Sequence, residues 1–294
     1  MPPFAHGPLR MRIHHLNCGT DCPVGGALFD GRSLGLHGTL VCHCLLIETD
    51  ADGLVLVDTG YGLNDVHHPH DAGHVRVPRP WRAMLNIQLR EQETAVRQIE
   101  AMGFRATDVR HIVVTHLDFD HAGGLDDFPN ATVHVMQREF DDATMAHDGF
   151  VAHHRWRSPQ LNDVRLWRRY SSAGEPWFGF DAVRDLPGLP PEILMIPLPG
   201  HTWGHAGVAV QRDDGRWLLH AGDAYFYRGE MRAARRRCTP GLRAYQRLME
   251  VSAEHRLRNQ ERLRVLSIER RGDVSIACAH DPVELERCQA GRPL

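Results

Sequence analysis

The sequence predicts an α/β fold, an αββα four-layer sandwich with two sheets inside and helices outside, in a single domain over residues 1–294. Two observations carry that expectation. Short apolar or alternating runs bounded by Gly and Asp recur through both halves, the pattern of strands joined by turns. Each half also holds an apolar periodicity of about 3.6 residues, so helices accompany the strands, and apolar faces of both kinds bury best in layers.

In the first half, residues 11–16, 40–47 and 54–57 read as strands. Residues 91–102 follow as a helix, with Ala95, Val96, Ile99 and Met102 on one face and Gly103 where a C-terminal cap belongs. Residues 111–115 are a β-rich run that ends at the first polar cluster. The second half repeats the theme: residues 193–198, 207–211 and 217–221 read as strands, 242–249 open a helix, and 274–278 form a last strand. The least regular part, residues 141–191, carries Trp156, Trp167, Trp177 and a run of arginines; it reads as a partly helical cap or as a surface insertion.

At 294 residues and 42% hydrophobic content the chain has enough apolar material to fold without disulfides. Every one of its 34 cations is an arginine, set against 37 carboxylates for a net charge of -3. A nucleic-acid partner calls for a basic domain, which this is not. No apolar run approaches the roughly 18–20 residues that span a bilayer, and residues 1–12 lack the apolar core of a signal peptide. A cytoplasmic protein with no membrane partner is expected. Seven cysteines at irregular spacing read as reduced thiols. Cys42 and Cys44 flank His43 like half of a zinc site, but no second pair follows at finger spacing, so strand core is the expectation there.

The chemistry concentrates in Thr115-His116-Leu117-Asp118-Phe119-Asp120-His121-Ala122-Gly123-Gly124, directly after a predicted strand. Four metal-competent side chains within six residues, on a loop leaving a strand end, can converge on one point, and there is room for two ions. A helix N-cap needs a single Asp, not this combination. Three further motifs each place one strong ligand just after a β-rich run: Pro199-Gly200-His201-Thr202-Trp203-Gly204-His205, Ala221-Gly222-Asp223-Ala224 and Ala279-His280-Asp281.

With these motifs, and with Leu45-Leu46-Ile47-Glu48-Thr49 leading through Leu56-Val57-Asp58-Thr59-Gly60, the chain resembles the metallo-β-lactamase superfamily, most of all its N-acyl-homoserine-lactonase-like branch. The resemblance implies two divalent ions: His116, Asp118 and His201 on metal 1, Asp120, His121 and His280 on metal 2, and Asp223 bridging. It implies that Asp58 braces the loops, and His205 and Asp281 are candidates for orienting the ligands. Two departures stand out. Asp118 occupies a position where the family pattern has histidine, and its oxygen makes metal 1 a harder site, so iron or manganese enter beside zinc. The lactonase-type tyrosine three residues past the bridging aspartate is here Phe226, which leaves Tyr225 and Tyr227 as candidate oxyanion donors.

The implied reaction is hydrolysis by a metal-bridging hydroxide, with Asp120 shuttling the proton to the leaving oxygen. A lactone or carboxylic ester is the leading substrate, that is, a small molecule with a hydrolysable acyl bond; Trp81, Trp203 and the tryptophans of residues 141–191 are candidates for an acyl-binding groove, with core packing the default for any single one. Thioester, β-lactam and phosphodiester hydrolysis are alternatives. So, from other classes, are a flavodiiron-like oxidoreductase and a non-catalytic metal-binding scaffold. Oligomeric state is not legible in the sequence.

Overall fold

The computed structural model of the chain describes residues 11–49, 53–71, 74–145, 149–183, 186–232 and 235–294; the stretch read for a signal peptide lies almost wholly outside them. Ten strands form the two main sheets. The first sheet contains β1 (Arg12–Asp21), β2 (Leu40–Thr49), β3 (Gly53–Val57), β4 (Val109–Val113), β5 (Thr132–Met136) and β6 (Leu166–Tyr170), in that spatial order. The second contains β7 (Ile193–Pro197), β8 (Ala206–Gln211), β9 (Trp217–His220) and β10 (Val274–Ala277), again in order. Within the first sheet β1, β2 and β3 pair antiparallel, while β3 through β6 run parallel. In the second, β9 and β10 are the parallel pair.

Strand periodicity of two sends neighbouring side chains to opposite faces, and here both faces are covered. Leu45, Ile47, Val55, Val57 and Val113 of the first sheet meet Met195, Val208, Val210 and Leu218 of the second, forming the inner layer of the core. Their neighbours Leu46, Leu56 and Ile112 point outward against Val96, Ile99 and Phe128. On the far side, Leu194, Ile196 and Leu219 pack against Leu263 and Leu266 of helix Ala253–Glu269. The result is the expected αββα sandwich. Parallel strands with helical crossovers require this double cover.

Three features depart from the expected elements. The helix read at residues 91–102 starts as a 3-10 turn at Glu91–Glu93, because Thr94 is extended and the α-helix runs only over Ala95–Ala101. Two strands, β5 and β6, and the long helix Ala253–Glu269 were not anticipated. Residues 141–191 are more than a cap or an insertion: they supply β6 and the hairpin Glu175–Trp177/Phe180–Ala182 as well as helix Phe150–Arg155. Of the tryptophans, Trp167 packs against the outer core of the first sheet and Trp177 belongs to that of the second, while Trp203 is 41% exposed against His255. Among the described residues, no helix is long and apolar enough to cross a membrane.

Candidate metal centre

Loops leaving β4, β7, β9 and β10 converge at one end of the sandwich, and each carries expected ligands. The first loop runs from Thr115 into the short helix Phe119–Ala122. Asp118 stands at the N-cap position of that helix but its side chain makes no capping bond. It turns inward instead: Oδ2 lies 3.0 Å from His201 Nε2 and 3.5 Å from His116 Nε2.

Two groups of ligand atoms result, each within 4.8 Å of one another: His116, His201 and Asp223, and His121, Asp223 and His280. Asp223 belongs to both. Its Oδ2 faces His201 at 3.3 Å and its Oδ1 faces His280 at 3.0 Å. Asp120 is on the His280 side, with Oδ2 3.7 Å from Nε2. All seven are buried. Among the described residues, His116 Nε2 and Asp223 Oδ1 are buried without a hydrogen-bond partner, and His121 and His280 turn their Nε2 atoms toward each other at 3.4 Å. Orphaned acceptors converging in a buried site are costly unless a cation satisfies them, and an imidazole and carboxylate donor set suits divalent transition metals. The residues present therefore fit metal ions.

The outer contacts fix the imidazoles. Asp58, in a left-handed conformation at φ 55, accepts from Thr115 N and Thr115 Oγ1 at 2.7 Å each and from His121 Nδ1 at 2.8 Å. Thr115 Oγ1 in turn accepts from His116 Nδ1 at 3.0 Å. Both rings are thereby held with Nε2 toward the centre. His280 Nδ1 is bonded to the Val41 carbonyl at 2.8 Å. His205 accepts the Asp223 backbone N–H on Nε2 at 2.9 Å, which requires Gly222 between its neighbours: φ is 52, and a Cβ would lie 2.6 Å from that nitrogen.

Burial alone would raise the Asp118 carboxyl, but the Arg155 guanidinium and the His116 ring override it and hold it well below the usual range. Likewise burial of Asp223 is outweighed by His280, His121 and His201, which keep it low. His121, which burial would depress, is raised well above its ordinary value by Asp223, Asp58 and Asp120. Burial raises the Asp120 carboxyl despite His121 and His280.

Three expected roles are corrected. Tyr225 is packed in the core under the second sheet, and its hydroxyl donates to Glu284 Oε2 at 2.9 Å. Tyr227 places its hydroxyl against Gly31, with the Arg228 guanidinium 4.6 Å over its ring. The ring that faces the candidate ligands is the intervening Phe226, stacked 5.0 Å from His280 and tilted 5.7 Å from His201. Asp281 touches no ligand side chain: Oδ1 caps helix Pro282–Gln289 through Val283 N and Glu284 N, and the carboxylate pairs with Arg228 at 3.0 Å.

Other contributors were not found in the sequence. Arg155, fully buried, sets its Nε 3.2 Å from Asp118 Oδ1 and donates to the carbonyls of His201 and Met249. Glu139 gathers three segments, accepting from Leu117 N, Thr202 Oγ1 and Trp156 Nε1. Tyr245, from helix Pro240–Met249, sets its ring edge-on to Phe226 at 5.8 Å. Burial, then the charges of Asp120, Asp118 and Asp223, push its phenol well above the ordinary range.

This sandwich matches a known family. The family model for the metallo-beta-lactamase superfamily matches residues 37–267, and the chain belongs to that superfamily and is a metallo-hydrolase. It is 41% identical over 280 residues to a probable metallo-hydrolase of Mycobacterium tuberculosis, covering 95% of this chain and 83% of that one. It is 25% identical to the N-acyl homoserine lactonase AttM of Agrobacterium fabrum, over 80% of each chain. Among solved structures, an AiiA variant from B. thuringiensis with N-decanoyl-L-homoserine bound at the active site superposes with a TM-score of 0.67 at 18% identity, covering 96% of this chain and 97% of that one.

Proposed function

We propose that this metallo-hydrolase uses two divalent ions to open lactones or cleave carboxylic esters. The observation that carries the reading is Asp223, common to two buried ligand groups. His116, Asp118 and His201 would hold one ion, Asp120, His121 and His280 the other, and Asp223 both. Such ions would supply Lewis acidity and a water nucleophile at neutral pH. Zinc suits the imidazoles, and the Asp118 oxygen admits iron or manganese.

The chain's own groups complete the chemistry. Asp120 takes the proton of the attacking water and delivers it to the leaving oxygen. Tyr245, whose hydroxyl has no hydrogen-bond partner among the described residues, donates to the oxygen on which negative charge develops. Trp81 does not line an acyl-binding groove: it is 2% exposed and packs in the core with Tyr61, Phe119 and Met249, with Phe150 at 5.3 Å. The acyl-homoserine lactonases among the relatives support the substrate class.

The test joins metal analysis to a hydrolysis screen across lactones, esters, thioesters, β-lactams and phosphodiesters, for wild type and Asp223→Ala. Two ions per chain and a loss of at least roughly a thousandfold in the variant are expected, since each 1.36 kcal/mol of lost transition-state stabilisation is about tenfold. A folded Asp223→Ala that keeps more than about a tenth of the activity would require a different mechanism.

A further inference from the structure

Strand β2 enters the metal centre. His43 N donates to the Ala279 carbonyl at 2.8 Å and the Val41 carbonyl accepts from His280 Nδ1 at 2.8 Å, so the start of the strand is pinned on both sides to the His280 loop. Between those two contacts stands Cys42, 2% exposed, its thiol free of disulfide. Its Sγ, an Asp120 carboxylate oxygen and a His280 ring nitrogen all lie within 4.8 Å of one another. The sulfur has no hydrogen-bond partner among the described residues. A strand-core cysteine would face aliphatic side chains alone; this one also faces two of the groups expected around metal 2.

Zinc–sulfur and zinc–nitrogen bonds of about 2.3 and 2.0–2.1 Å put donors on one ion roughly 3.3–3.8 Å apart, so a closure of at most about 1–1.5 Å completes the set. We propose that Cys42 is a thiolate ligand of the ion held by Asp120, His121 and His280. This rests on the reading of the site as a metal centre and goes beyond it. Coordination forms a metal–sulfur bond, breaks the S–H bond and releases the proton to solvent. The two positions then differ in chemistry. Asp118 adds a hard oxygen to the position of His116 and His201, with no sulfur, whereas Cys42 adds a soft donor to the other. The first favours iron or manganese and the second zinc, so the centre is built for two unlike metals.

Cobalt(II) reports both points without any assay of activity. Cobalt added to the metal-free full chain should give visible ligand-field bands, which test the metal centre, and a near-ultraviolet sulfur-to-cobalt charge-transfer band, which tests the thiolate. Cys42→Ser and Cys42→Ala should lose the near-ultraviolet band and keep the visible ones. Cys288, whose Sγ lies within 4.8 Å of ligand atoms of His15 and His43, is the other cysteine that could bring sulfur to cobalt; in Cys288→Ser the band should persist. Visible bands without the charge-transfer band overturn the inference and leave the metal centre standing. So does a charge-transfer band that vanishes in Cys288→Ser but survives in Cys42→Ser. Absence of any cobalt spectrum overturns both readings.

Discussion

Asp58→Asn isolates the contribution of one buried carboxylate to metal binding. The change preserves volume, and asparagine tolerates the left-handed backbone at φ 55. It nevertheless converts an acceptor into a donor where only donors converge. The amide oxygen must meet Thr115 N, which sits 2.7 Å from Oδ1 and has no alternative orientation. The NH2 then faces Thr115 Oγ1 at 2.7 Å and His121 Nδ1 at 2.8 Å. The hydroxyl can rotate. The imidazole can respond only by moving its proton to Nε2, the nitrogen aimed at Asp223 3.3 Å away, which takes its lone pair from the metal side. A hydrogen bond to a charged group is worth about 1.5–3 kcal/mol, or roughly 10- to 150-fold in an equilibrium constant. The span overlaps the 10- to 100-fold typical of outer contacts to metal ligands. Competition against a chromophoric chelator should therefore show one ion bound at least about tenfold more weakly, while thermal melting confirms a folded variant. Wild-type affinity for both ions in a folded Asp58→Asn would refute the argument that Asp58 sets the His121 tautomer.

Arg155→Leu leaves the His201 and Met249 carbonyls without their donor and Asp118 without its cation. Breaking such a buried pair costs about 3–5 kcal/mol, read as a lower urea midpoint. Tyr245→Phe should lower kcat on whichever lactone or ester proves active by about 10- to 100-fold with little change in KM, because the phenol acts on the transition state. Glu284 is the group for a pH test: burial, then the Asp281 charge, moves its carboxyl from an ordinary 4.5 to about 8. The native state therefore holds this proton more tightly than the unfolded chain. Its contribution to stability is full below 4.5 and is lost as pH rises through 8. Glu284→Gln should flatten that slope and be more stable than wild type at pH above 8, by on the order of 2 kcal/mol in denaturant unfolding, with no gain at acid pH.

The residues that converge at the candidate centre were legible because each is chemically distinctive and each follows a strand whose apolar pattern marks its end. His116, His201, Asp223 and His280 could be placed on loops without knowing how the loops meet. Side-chain direction inside a turn has no such signature. Tyr225 and Tyr227 flank the ring that faces the centre, and spacing alone does not say which of three consecutive aromatics turns inward. Asp281 shows another limit, since an aspartate beside a metal histidine and an aspartate capping a helix before proline look alike in sequence. Contacts between distant segments were not legible at all. Arg155 is one arginine among 34 cations, and its partners lie 46 and 94 residues away along the chain. Helix Ala253–Glu269 escaped detection for a local reason: its buried face includes Arg256, Asn259 and Gln260 beside Leu263 and Leu266, so no apolar stripe announces it.

The provenance of the ligands carries a mechanical consequence. His116, Asp118, Asp120 and His121 hang from the first sheet, whereas His201, Asp223 and His280 hang from the second. Ions shared between them would rivet the two sheets at one end, where three carboxylates gather, from Asp118, Asp120 and Asp223. Anything that binds only the folded chain stabilises it by RT ln(1 + [L]/Kd), about 2.7 kcal/mol at a hundredfold excess over Kd. Chelation should therefore loosen the sandwich from the catalytic end, and hydrogen exchange in β4 and β9 should rise together even though those strands belong to different sheets.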